Sequence, residues 1–157
     1  MSALRLDHVN VVVLDIQRSL AFYQGCLGML PIMDRVLEGA WFERLTGMTK
    51  ARARCVILQS PGGGCRIELL QYLGRDSRSL ADNQLPATPG LRHFALRVDA
   101  IEPIAAAVLQ RFGMAVEVIE VPADIVRGGK RMAYLRDPDG AIVELSQYAE
   151  AEPAFCG

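Results

Sequence analysis

The chain has 157 residues, of which 51% are hydrophobic and 22% charged, the size and composition of one compact domain or of two small halves sharing a core, and too apolar for a disordered chain. Seventeen basic residues against 18 acidic ones leave a net charge of -1, so no global field draws it to nucleic acid or an anionic membrane, and an anionic ligand has to be held by local charge. No apolar run of about 18 residues, the length a spanning helix needs, occurs, and Met1-Ser2-Ala3-Leu4-Arg5 lacks the plan of a signal peptide, which makes a cytoplasmic location with no membrane partner the default expectation.

Leu4 to Val13 alternate and are rich in Val, which predicts a strand with Val9, Val11 and Val13 on one face and His8, Asn10 and Val12 on the other. Asp15 is an N-cap for a helix carrying Ile16, Leu20, Phe22, Tyr23 and Leu27, stopped by Gly28. Pro31 to Glu38 reads as a second strand and Trp41 to Leu45 as a helical turn before Gly47. Ala51 to Ser60 and Cys65 to Tyr72 are strands joined by Pro61-Gly62-Gly63-Gly64, a hairpin turn rather than a phosphate loop, since no helix follows it. The polar stretch Gly74 to Gly90 is a linker. Beyond it come a strand at Leu91 to Val98, a helix at Ile101 to Phe112 stopped by Gly113, and strands at Val116 to Val121, Lys130 to Arg136 and Ala141 to Tyr148. Asp137-Pro138-Asp139-Gly140 forms the turn between the last two. Cys26, Cys55, Cys65 and Cys156 lack CxxC spacing and read as free thiols.

The two halves repeat one another. Leu6, His8, Val13, Ile16, Gly28 and Met29 match Leu91, His93, Val98, Ile101, Gly113 and Met114 at an offset of 85. Glu68, Leu69, Gln71 and Tyr72 match Glu144, Leu145, Gln147 and Tyr148 at an offset of 76, so the second half is shorter by nine residues in between. The expected fold class is α+β: two tandem βαβββ modules, about 4–73 and about 91–148, in a single domain spanning 1–157. They form a cupped, mostly antiparallel sheet with the helices on its outer face.

A carboxylate in the middle of an apolar strand needs a partner, because desolvating its charge costs several kcal/mol, roughly, if nothing compensates. Here it occurs twice. Strand alternation puts His8, Glu68, His93 and Glu144 on the face opposite the core residues Val9, Val11, Ile67, Leu69, Phe94, Leu96, Val143 and Leu145. These are also the only two histidines of the chain. If the first and last strands of each half are neighbours, each His lies near its own Glu, and pairing of the halves about a pseudo-twofold axis would bring two imidazoles and two carboxylates together, a donor set suited to one divalent ion, Ni, Co, Mn, Fe or Zn.

The Leu-Asp-His opening, Gly28 after the first helix, Arg92-His93-Phe94, Asp137-Pro138-Asp139-Gly140 and Val143-Glu144-Leu145 resemble the vicinal oxygen chelate superfamily, over residues 4 to 148. That superfamily contains glyoxalases, methylmalonyl-CoA epimerases, fosfomycin resistance proteins, bleomycin-binding proteins and extradiol dioxygenases. The resemblance implies a divalent metal held by His8, Glu68, His93 and Glu144. The ligand order is similar to bacterial-type glyoxalase I, whereas Glu68 to Ser77 resembles the epimerases. Epimerases often carry a further catalytic Glu on the third strand of the first module, where alignment puts Val56. A dioxygenase needs a third histidine that this chain lacks.

The expected activity is metal-assisted proton transfer next to a carbonyl, by a glyoxalase I-like lyase or an epimerase/isomerase, with Glu144 as first candidate for the base and Glu68 as its symmetry mate. The alternative is a small-molecule binding or resistance protein using the metal as an anchor. Arg127 and Lys130, in the basic run Arg127-Gly128-Gly129-Lys130-Arg131, are candidates to hold the anionic end of a small-molecule substrate such as a thiol-carrier adduct. The modules can pair within one chain or across a homodimer.

Overall fold

The computed structural model describes residues 5–74, 86–87 and 89–150, and the backbone of 154–155. The chain divides into two compact units, 1–80 and 81–157. The linker expected over 74–90 lies mostly outside the described residues, as does Cys156. No helix among the described residues is long and apolar enough to cross a membrane.

The first unit contains β1 (Val9–Val12), α1 (Ile16–Tyr23), β2 (Leu30–Glu38), α2 (Ala40–Thr46), β3 (Arg52–Gln59) and β4 (Arg66–Tyr72). Its sheet has the order β1-β4-β3-β2, with β1 parallel to β4 and the other pairs antiparallel. The second unit contains β5 (His93–Arg97), α3 (Glu102–Phe112), β6 (Ile119–Val121), β7 (Val126–Arg127), β8 (Lys130–Arg136), β9 (Ile142–Tyr148) and β10 (Ala154–Phe155). Its sheet, β5-β9-β8-β6, again has one parallel pair, β5 with β9. The α+β fold of two tandem modules is therefore as expected.

Alternation assigns the two faces of each sheet. In the first unit Val11, Val13, Val56, Leu58, Ile67 and Leu69 are buried together with Ile16, Phe22 and Tyr23 of α1. Each such side chain, fully withdrawn from water, contributes about 1.5–3 kcal/mol. Asp15 caps α1 by accepting from the backbone N–H groups of Gln17 and Arg18 at 2.8 and 3.2 Å. The helix ends at Tyr23 rather than near Gly28: the N–H groups of Gly25 and Leu27 reach back five residues, to Leu20 and Phe22, and the chain leaves α-geometry around a glycine that disfavours it. Gly28, at a φ of 68°, completes the turn.

The repeated glutamines have a structural role that their residue type alone does not announce. Gln71 Oε1 accepts the N–H of Ile16 at 3.1 Å, and Gln147 Oε1 accepts the N–H of Ile101 at 3.2 Å. Each last strand thus satisfies one orphan donor at the start of its own module's helix. The motif Glu-Leu-x-Gln-Tyr points Gln at the helix and Glu at the opposite face.

On that opposite face the units differ. In the first, α2 brings Phe42 onto a buried cluster of Ala51, Ala53, Cys55 and Leu70, its ring stacked on Tyr72 at 6.3 Å. The second unit has no equivalent helix among the described residues. There the strand expected at Val116 to Val121 pairs with β8 only over Ile119 to Val121. A cleft of about 450 Å³ opens beside it, lined by Ala115, Glu117, Ile119, Met132, Ala133 and Tyr134. The short ladder of β7 with β10 has no counterpart in the sequence expectations.

Candidate metal centre

Strand register decides which side chains meet. In the first unit Asn10 is aligned with Glu68, so His8, two residues earlier, falls on the same face. Its Nε2 lies 3.6 Å from Glu68 Oε2. In the second unit Ala95 is aligned with Glu144, and His93 again sits two residues earlier. Its Nε2 lies 3.4 Å from Glu144 Oε2. The two registers are equivalent through the offsets of 85 and 76, so the duplication has preserved a His–Glu pair in each module.

The first pair is oriented from behind. His8 Nδ1 donates to Asp7 Oδ2 at 2.8 Å, and Arg66 holds Asp7 through both its carboxylate and its carbonyl oxygen. The hydrogen bond from His8 foremost, and the charge of Arg66, hold the Asp7 carboxyl below its ordinary range against a smaller desolvation effect. With the proton on Nδ1, the Nε2 lone pair faces a carboxylate oxygen, an arrangement that calls for a cation. Two ligands bound at about 2.1 Å and subtending 90–110° have donor atoms roughly 3.0–3.4 Å apart. Both His–Glu separations come within a few tenths of an ångström of that. Each unit's own pair fits two ligands of a divalent metal, His8 with Glu68 in the first and His93 with Glu144 in the second. Among the described residues, no three His, Cys, Asp or Glu side chains cluster as a complete site; each unit supplies a pair.

Glu68 keeps a lightly bonded carboxylate. Oε2 accepts from Asn10 Nδ2 at 2.7 Å, and Oε1 accepts from the thiol of Cys55 at 3.3 Å. Burial first, then the hydrogen bond and charge of Glu68, push the Cys55 thiol up to about 12, so it stays protonated and remains a donor. Cys55 and Cys65 are unbridged. Val56, the position singled out for an additional carboxylate, pairs with Leu69 and is buried on the helix side. The β3 residues on Glu68's face are Ala53, Cys55, Ile57 and Gln59, none of them a carboxylate.

Glu144 is more tightly held. Its side chain is 7% exposed, and Lys130 Nζ, itself on a side chain 12% exposed, lies 2.8 Å from its Oε1. Ser146 Oγ donates to the same oxygen at 2.5 Å. Burial works to raise the Glu144 carboxyl, but the hydrogen bonds from Lys130 and Ser146 and the lysine's charge outweigh it and hold it below the usual range. Burial likewise opposes the charge on Lys130, and Glu144 outweighs it there too.

Lys130 and Arg127 therefore have separate surroundings. Lys130 opens β8, with its ammonium 5.4 Å from the centre of the Tyr148 ring. Arg127 is an exposed residue of β7 and has no ion pair among the described residues. Tyr134, 5.2 Å from the His93 ring, links the second His–Glu pair to the 450 Å³ cleft. Neither Tyr134 nor Ser146 stands out in the sequence; only the pairing of Tyr134 with Glu144 and of Met132 with Ser146 puts them on this face.

Known proteins match along nearly the whole chain. The Glyoxalase/Bleomycin resistance protein/Dioxygenase superfamily matches residues 5–145. The mitochondrial methylmalonyl-CoA epimerase of Homo sapiens is 28% identical over 145 residues, 91% of this chain and 73% of that protein. Lactoylglutathione lyase GLX1 of Arabidopsis thaliana is 25% identical over 153 residues, 97% of this chain but 47% of the relative, so the chain spans about half its length. A glyoxalase family protein from Bacillus cereus has a similar fold, with a TM-score of 0.78 at 20% identity, over 96% of this chain and 97% of that one.

Proposed function

The chain belongs to the Glyoxalase/Bleomycin resistance protein/Dioxygenase superfamily, and from that premise we propose that it is a cytoplasmic, divalent-metal-dependent enzyme moving a proton next to a carbonyl, as a lyase or an epimerase. The substrate is a small molecule such as a thiol-carrier adduct. In this reading the two modules pair, within one chain or across a homodimer, and His8, Glu68, His93 and Glu144 hold one ion between them. The observation that carries it is the duplicated His–Glu pair, at 3.6 and 3.4 Å, with Asp7 orienting the first imidazole.

A divalent ion bound there supplies a Lewis acid to a substrate carbonyl oxygen. The chain's own residues divide the remaining work. Asp7 fixes the tautomer of His8 through Nδ1. Glu68 is the better candidate to take a proton from carbon, ahead of Glu144. Among the described residues its Oε1 is engaged by a thiol alone, a weak donor, whereas Glu144 Oε1 is engaged by an ammonium and a hydroxyl. Lys130 and Ser146 hold Glu144 in one orientation. The cleft beside Tyr134, with Ile119 and Met132 on its wall, offers an apolar bed for the body of the substrate.

Metal analysis followed by assays with a hemithioacetal and an acyl-CoA, on wild type and on Glu68→Gln and Glu144→Gln, tests this. The account expects turnover of one substrate class, lost in Glu68→Gln. Tight ligand binding with no turnover supports instead a binding or resistance protein, a reading favoured by the ion pair that occupies Glu144.

A further inference from the structure

Register identifies the place in the first unit that Lys130 takes in the second. Lys130 is paired with Tyr148 as Ala53 is paired with Tyr72, and these tyrosines are equivalent in the repeat. Ser146 likewise takes the position of Leu70. In the first unit this corner is apolar and covered: Ala53, Cys55 and Leu70 lie beneath Phe42 of α2. In the second, the lysine side chain lies along Tyr148 and delivers its ammonium to Glu144 Oε1 at 2.8 Å. One corner of the repeat has been filled by hydrocarbon, the other by a charge aimed at the carboxylate.

We infer that Lys130 is an internal cation that lowers the affinity of the His93–Glu144 pair for a divalent metal, making the two halves of the site unequal. The inference rests on the metal-binding reading above. Glu144 Oε2 remains directed at His93, so the pair stays able to bind through that oxygen. An ion there meets a carboxylate whose charge is already shared, and a positive charge on the other oxygen of the same carboxylate. Between side chains only 12% and 7% exposed, where solvent screens poorly, this repulsion is substantial. The first unit carries no such penalty, since the donors to Glu68 are neutral. With a dication bound by two carboxylates, the lysine also leaves the loaded site with surplus positive charge, which favours an anionic or enolate-like ligand over a neutral one.

The test is a Mn(II) titration, read by the electron paramagnetic resonance signal of free Mn(II) and by calorimetry, on wild type, Lys130→Gln, Lys130→Met and Lys130→Arg, each checked for folding by circular dichroism. Removal of the charge is expected to tighten Mn(II) binding roughly tenfold or more, and Lys130→Arg is expected to behave as wild type. If Lys130→Met does not fold, Lys130→Gln decides, because its amide can still donate to Glu144. Equal or weaker binding by Lys130→Gln overturns the inference and leaves the metal site standing. So does a gain that persists in Lys130→Gln/Glu144→Gln, since the effect would not then act through Glu144. Absence of Mn(II) binding by every variant overturns both the inference and the functional reading beneath it.

Discussion

His8 Nε2 stands 3.6 Å from Glu68 Oε2, with its other ring nitrogen on Asp7. The same relationship recurs between His93 and Glu144 at 3.4 Å, but the support behind it differs. The first pair is steadied through its histidine, by Asp7 and Arg66; the second through its glutamate, by Lys130 and Ser146. Duplication has kept the His–Glu pair and exchanged its supports.

If Asp7 orients His8, Asp7→Asn should weaken divalent metal binding without removing a ligand. A loss of roughly tenfold is expected, at the lower end for such supporting carboxylates because Asp7 is exposed. Calorimetric titration with Mn(II) measures it, and unchanged affinity would mean that the Asp7–His8 hydrogen bond does not matter to the site.

The buried ion pair sets a pH dependence. Glu144 is depressed in the folded chain, so its contribution to stability is present above the ordinary value of 4.5 and is lost as pH falls through the lower folded value. Lys130 is raised, so its contribution is present below the ordinary 10.5 and is lost as pH rises through the higher folded value. The difference in melting temperature between wild type and Glu144→Gln should therefore be level near neutrality and shrink below pH 4.5. Thermal melts across that range check it; a difference that grows on acidification contradicts the pair.

Gln71 and Gln147 should matter to folding and not to metal. Gln71→Ala and Gln147→Ala each leave one N–H at a helix start without its acceptor, at a cost of about 1 kcal/mol. Urea denaturation measures this, and Mn(II) affinity should stay as in wild type.

Much of this was legible in the residues. The alternation around Glu68 and Glu144 assigns their face, because a strand has a period of two, and the repeat supplies the second copy of the His and of the Glu. The helix caps Asp15 and Gly113 and the turn at Gly140 announce themselves through residue types that only those backbone positions favour. Three features were not legible for a physical reason. Lys130 reads as one member of a basic run because its place beside Glu144 depends on its register with Tyr148, which no local pattern encodes. The side of β3 to which Val56 points follows from its pairing with Leu69, one residue from the Ile57–Glu68 pair, and a shift of one residue reverses the face. The ladder of Val126–Arg127 with Ala154–Phe155 has two residues per strand, too few to leave a periodicity.

The central claim is that the two His–Glu pairs together hold one divalent ion. Mn(II) titration of wild type, Glu68→Gln and Glu144→Gln tests it most directly. The account predicts one ion per pair of modules, and a loss of affinity of at least roughly tenfold in each variant. Binding that is unchanged in either variant would contradict it.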